Sequence, residues 1–251
     1  MNIKLTFIFI LLINLNACNN RSESKTDTQP IQIVEDKQDL YQQLKSAIET
    51  GDEIAFSLLI KEIPCLDSLI QDNRTENSYT LLGYACKYKR CNMAEGIINL
   101  QADIEIGETD EFFVYDALSV AVESQDTCLV KLLLNKGANP NRWYNEDGFT
   151  ALSLSCRLNN YTISKLLVEN GAKVNGEGDT GTDYIHYPLL HAVENNNLEL
   201  IKLLIDNGAK IDIRDKQDET PFTIADRIQN EEISDLLLEN LQLQKTHELY
   251  Q

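Results

Sequence analysis

Residues 187–215 read YPLLHAVENNNLELIKLLIDNGAKIDIRD, and two stretches upstream share their shape: ALSLSCRLNNYTISKLLVENGAKVN at 151–175 and ALSVAVESQDTCLVKLLLNKGANPN at 117–141. Aligned on their Gly-Ala pairs, Ala138, Ala172 and Ala209 fall 34 and 37 residues apart, and Ala102 of a weaker copy lies 36 before the first. A period of this size means stacked units, none of which buries its apolar side alone. Within one copy Leu189, Ala192, Val193, Leu200, Leu203 and Leu204 recur at helical spacing. Each copy is therefore predicted to form two short antiparallel helices, joined by polar turns such as Asn195-Asn196-Asn197 or Asn159-Asn160.

Six copies can be traced, near 39–70, 77–106, 113–142, 147–176, 184–213 and 217–241. The first replaces the Gly-Ala pair with Ile63-Pro64, and the second puts Gln101 where the others have Gly137, Gly171 and Gly208. Glycine belongs there because the residue after a helix commonly turns left-handed, where a β-carbon is penalised. The second copy is accordingly expected to open first. Thr80, Asp116, Thr150 and Thr220 stand where a side-chain oxygen accepts from the first helical turn. Pro188 and Pro221 take the first helical position, and Tyr187 cannot cap. Ala47, Ala85, Ala121, Ala192 and Ala225 share one equivalent position with Ser155, small side chains that let successive inner helices approach closely. The sixth copy runs on as EEISDLLLENLQLQKTHELYQ, whose Glu231, Glu232, Asp235 and Glu239 suit a solvent-facing cap, with 246–251 expected to fray.

The pattern T-P-L-H-x-A, followed by a helix ending L-L-x-x-G-A-x-x-N, resembles the ankyrin repeat. That resemblance implies an all-α fold, an ankyrin-like α-solenoid of about six stacked helix pairs with hairpin fingers between them. It also implies that fingers and inner helices line a concave face for a protein partner, with no cofactor and no catalysis.

Met1 to Cys18, MNIKLTFIFILLINLNAC, places Lys4 before an apolar run from Leu5 to Leu15. The run is too short for a membrane span of about 20 residues and has the form of an export signal. Leu15-Asn16-Ala17-Cys18 resembles the lipobox of bacterial lipoproteins, which implies lipid on the Cys18 sulfur and an anchor in the cell envelope, on the periplasmic side or the cell surface. Residues 19–37 are polar and read as a flexible linker between anchor and a repeat domain at 38–245.

A net charge of −18 disfavours nucleic acid, whose phosphates would be repelled. The three histidines, His186, His191 and His247, have no metal-ligand spacing, and no phosphate loop or nucleophile motif is present. His191 is expected to make a core hydrogen bond. Cys86 and Cys156 are expected to be buried; they sit two repeats apart, too far to bond. Cys91 and Cys128 are at nearly equivalent offsets in adjacent copies, where a bridge would fit an oxidising compartment, but free thiols are the favoured reading.

Function is expected at the fingers. IGETDEFFVY at 106–115 and GEGDTGTDYIHY at 176–187 are longer than RWYNEDGF at 142–149 or IRDKQDE at 213–219. Three successive fingers carry aromatics: Phe112, Phe113 and Tyr115, then Trp143 and Tyr144, then Tyr184 and Tyr187. Such rings, amid acidic Glu108, Asp110, Glu111, Glu146, Asp147, Glu177, Asp179 and Asp183, compose an interface for a partner with basic and apolar surface. Scaffold, inhibitor and toxin-neutralising immunity roles all fit, and a small molecule or glycan bound on the same aromatic row is the alternative.

Overall fold

The computed structural model describes residues 30–71, 78–106, 116–142, 149–176 and 186–249. Its backbone forms helix pairs at the predicted places: α1 (Pro30–Thr50) with α2 (Glu53–Leu59), α3 (Leu81–Lys87) with α4 (Cys91–Asn99), and α5 (Ala117–Glu123) with α6 (Thr127–Asn135). Next come α7 (Ala151–Arg157) with α8 (Tyr161–Glu169), α9 (Pro188–Glu194) with α10 (Leu198–Asp206), and α11 (Pro221–Ile228) with α12 (Glu231–Leu249). One finger, between the first and second copies, is a two-stranded antiparallel hairpin of β1 (Leu69–Gln71) and β2 (Ser78–Thr80), with Leu69 opposite Thr80.

The chain divides into two compact units between Ala117 and Leu118. In the first, α1 packs on α2 and α3, and α3 on α4. In the second, inner helices α7, α9 and α11 pack in succession, and outer helices α6, α8 and α10 do the same. The shared small position is buried throughout: Ala47 is 4% exposed, while Ala85, Ala121, Ser155, Ala192 and Ala225 are at 0%. A hydroxyl survives there because Ser155 Oγ donates to the Leu152 carbonyl and lies 2.8 Å from Ser164 Oγ.

That position also anchors the turn inside each copy. Its carbonyl accepts from the N–H five residues on, from Asp52, Arg90, Asp126, Asn160, Asn197 and Asn230 at 2.9–3.2 Å. Closing the bond requires a left-handed residue just before each donor, namely Gly51, Lys89, Gln125, Asn159, Asn196 and Gln229. Five of the six donors then cap the second helix through their own side chains, as Asn197 does to Leu200 N–H at 3.0 Å. Arg90 makes no such bond and reaches back to the Ile48 and Glu49 carbonyls, at 2.8 and 2.6 Å.

At the far end of each copy Gly137, Gly171 and Gly208 have φ of 94°, 86° and 89°, and Gln101 stands in their place at 69°. The asparagine that closes the repeat motif ties these exits together. Asn141 accepts from Lys173 N–H at 2.7 Å and donates to the Gly171 carbonyl at 3.1 Å; Asn175 does the same to Lys210 and Gly208 at 2.9 and 3.4 Å. In the last copy Gln244 of α12 takes this role, to Ile211 and Ala209.

The inner caps follow expectation at Thr80, Thr150 and Thr220, the last two in capping boxes with Ser153 and Thr223. Three features depart from the sequence reading. The helix starts at Pro30, inside the stretch read as a tether, and α12 continues to Leu249, through most of the expected frayed tail. Cys65, Cys91 and Cys128 are disulfide-bonded, so the preference for free thiols fails there; it holds for the buried Cys86 and Cys156. Spacing alone could not tell a bonded cysteine from a packed one.

Candidate partner-binding surface

Of the aromatic row, Phe112, Phe113, Tyr115, Trp143, Tyr144 and Tyr184 lie outside the described residues, as does Cys18. Tyr187 is half-buried and serves as the N-cap of α9 without a side-chain bond, as its chemistry requires. The described ends of the fingers nevertheless assemble two clusters, one in each unit.

In the second unit, Phe149 and His186 each precede the residue that caps an inner helix, so they occupy the same register in successive copies. Stacking the copies stacks the rings, with centroids 3.6 Å apart and planes 13° from parallel. The Arg157 guanidinium carbon sits 4.3 Å over the same Phe149 ring. With His186 that close on one face, the cation must take the other. Phe149 is 4% exposed, whereas Arg157, at the end of α7, is exposed.

His191 completes the group, 5.7 Å from both rings. Its Nδ1 lies 3.1 Å from the Glu194 carboxylate, and its buried Nε2 has no hydrogen-bond partner. Burial lowers its pKa; Glu194 opposes the shift and the Arg157 charge adds to it. The ring is therefore neutral at pH 7, donating from Nδ1 and leaving Nε2 an unfilled acceptor. The expected core hydrogen bond is not made; the one bond of the ring is an exposed contact to the end of its own helix. Further along, the Arg227 guanidinium lies 3.0 Å from Glu219 and 3.9 Å from Glu194, an exposed network contributing about 0–1 kcal/mol per pair.

The finger at 213–219 is stiffened by its own side chain. Asp215 Oδ1 accepts from Gln217 and Glu219 N–H at 2.9 and 2.8 Å, with Asp218 left-handed at φ 66°.

The first unit has a tyrosine cluster instead. Tyr84, fully buried, donates to the Glu49 carboxylate and lies against Tyr79 and Tyr88, at 6.3 and 4.9 Å between centroids. Lys87 Nζ is 4.6 Å over the Tyr79 ring and Lys45 Nζ 5.5 Å over Tyr84. Burial, then the bonds to Glu49 and Tyr88, push the Tyr84 phenol upward, away from a nucleophilic phenolate. The cluster ties α1 to α3.

Neither cluster resembles a reaction centre. Among the described residues no three His, Cys, Asp or Glu side chains could hold a metal ion, and no helix is long and apolar enough to cross a membrane. Burial pushes the Cys156 thiol up to about 12, so it is no nucleophile in the folded state. What the arrangement offers is contact: rings with a cation on one side and fingers of fixed shape.

Comparison with known proteins agrees with the geometry. Residues 104–178 match the family model described as ankyrin repeats (3 copies), and 189–238 match ankyrin repeats (many copies). A putative ankyrin repeat protein of Acanthamoeba polyphaga mimivirus is 30% identical over 115 residues, 46% of this chain and 14% of that protein. The human ankyrin repeat and SOCS box protein 14 is 36% identical over 78 residues, 31% of this chain and 13% of that protein. The chain thus spans only a small part of these relatives' length. Paired helices in register, left-handed exits and the two matched segments make this an all-α, ankyrin-repeat protein, a fold that serves protein–protein interaction.

Proposed function

We propose that the chain is a bacterial lipoprotein, anchored in the cell envelope through lipid on Cys18, whose ankyrin repeats bind another protein without catalysis. The observation that carries the binding reading is the repeat register itself. It sets the ends of successive fingers side by side, as the Phe149 and His186 stack demonstrates at one seam. The aromatic row of Phe112, Phe113, Tyr115, Trp143, Tyr144, Tyr184 and Tyr187 supplies the anchors, and the acidic residues between them favour a basic and apolar partner. Export is supported by the Leu15–Cys18 motif and by the disulfide-bonded Cys91 and Cys128, since disulfides persist in oxidising compartments; lipid on Cys18 requires that its own sulfur take no part in such a bond.

Two experiments test this. Replacing Cys18 with Ala should move the protein from the membrane fraction to the soluble one; unchanged fractionation would remove the anchor. Crosslinking in intact cells should trap a protein partner with the native chain and much less with Phe113, Trp143, Tyr144 and Tyr184 all changed to Ala. Equal trapping by a variant that has lost stability would make the row structural only.

A further inference from the structure

We propose that Arg157, seated over Phe149, is the docking point for a single carboxylate side chain of the partner protein. This rests on the protein-binding reading above and adds the chemistry of one contact. Three other arginines are held by oxygens of the chain. Arg90 takes the Ile48 and Glu49 carbonyls, Arg214 the Asp218 carboxylate at 2.6 Å, and Arg227 the Glu219 and Glu194 carboxylates. Arg157 is exposed and, among the described residues, its guanidinium makes no ion pair; its contact is the ring 4.3 Å away.

A guanidinium over a ring keeps its N–H donors available, because the ring attracts the charge without consuming them. The seat is also fixed in advance. Phe149 is buried and backed by His186, and the helix end carrying Arg157 is held by Asn195, whose side-chain amide donates to the Cys156 and Arg157 carbonyls at 2.9 and 3.3 Å. A carboxylate arriving there can take two parallel hydrogen bonds while little side-chain freedom remains to be lost. A net charge of −18 opposes an acidic partner as a whole. The contact is therefore one carboxylate set in a basic and apolar surface.

The test pans a phage-displayed library of random dodecapeptides against the purified full-length chain. Enriched peptides are expected to share one Asp or Glu. Changing that residue to Asn or Gln should weaken binding at least about tenfold, as should Arg157→Gln in the protein, and the two together should cost little more than either alone. Arg157→Lys should fall between, since it keeps the charge and loses the fork. The peptide change cannot disturb the fold, so it decides the matter even if an Arg157 variant melts early. Enriched peptides without a carboxylate, or indifferent to Arg157→Gln, overturn this inference and leave the protein-binding reading standing. No enrichment over an unrelated acidic protein overturns both.

Discussion

Two kinds of left-handed turn alternate along this chain, and they tolerate different residues. Inside the copies, Lys89, Gln125, Asn159, Asn196 and Gln229 adopt φ of 55–57°; at the exits, Gly137, Gly171 and Gly208 open to 86–94°. The first value is the left-handed minimum open to an L-residue, at a modest cost. The second lies beyond it, where a β-carbon crowds the backbone and glycine is favoured. Space is not the issue, because a β-carbon at any of those three exit glycines would meet nothing within 4 Å. The same helix-ending device therefore favours glycine at one end of a repeat, where Gln101 at 69° is the departure, and is permissive at the other, where Gly51 at 79° stands with five L-residues.

Substitutions can break or sharpen this contrast. The largest loss is expected at the seam from which the inner turns hang: Ala192→Leu, at a fully buried site, should overpack neighbouring inner helices and cost roughly 1–3 kcal/mol in a urea titration. Gly171→Ala should cost about 1–2 kcal/mol through backbone strain alone, whereas Gln125→Ala should change stability little; equal losses at both would erase the distinction. Asn175→Ala removes the two bonds that tie one exit to the next and should cost about 1 kcal/mol, seen as a lower melting temperature. Gln101→Gly should raise stability by about 0.5 kcal/mol, relief of φ strain being partly offset by a more flexible unfolded chain.

The smallest expected effect is that of pH. His191 has a lowered pKa in the folded protein, so as pH falls through about 6.5 the unfolded chain takes up the proton first. Stability should decline below that point and level off once the folded-state pKa is passed. Urea midpoints measured at pH 8 and pH 5.5 should differ less in His191→Gln than in the native chain. An identical difference would mean that His191 is not the group responsible.

What could be read in the residues follows the same contrast. Gly-Ala exits were legible because only glycine relieves that backbone, and the column from Ala47 to Ala225 because only small side chains fit the seam. Gln101 was placed in the left-handed position from alignment alone. The inner turns were not recognised as left-handed, since Lys89, Gln125 and Gln229 carry no local sign of it; Asn159 and Asn196 were the only hint. Arg90 hid its role by replacing a cap with a long reach to the previous copy. The Phe149, His186 and Arg157 group was missed although its signal was present: two rings at one register in successive copies, which stacking must bring together.

Cys156 gives the molecule a built-in clock. Its thiol is enclosed and kept protonated by burial, with Ser164 Oγ 3.7 Å away, so a thiol-specific reagent finds no thiolate while the fourth copy is closed. Alkylation at Cys156, told apart from alkylation at the other buried thiol, Cys86, then counts openings of that one segment. The native chain, with no dye or engineered handle, reports how often its interior breathes and whether a bound partner slows it.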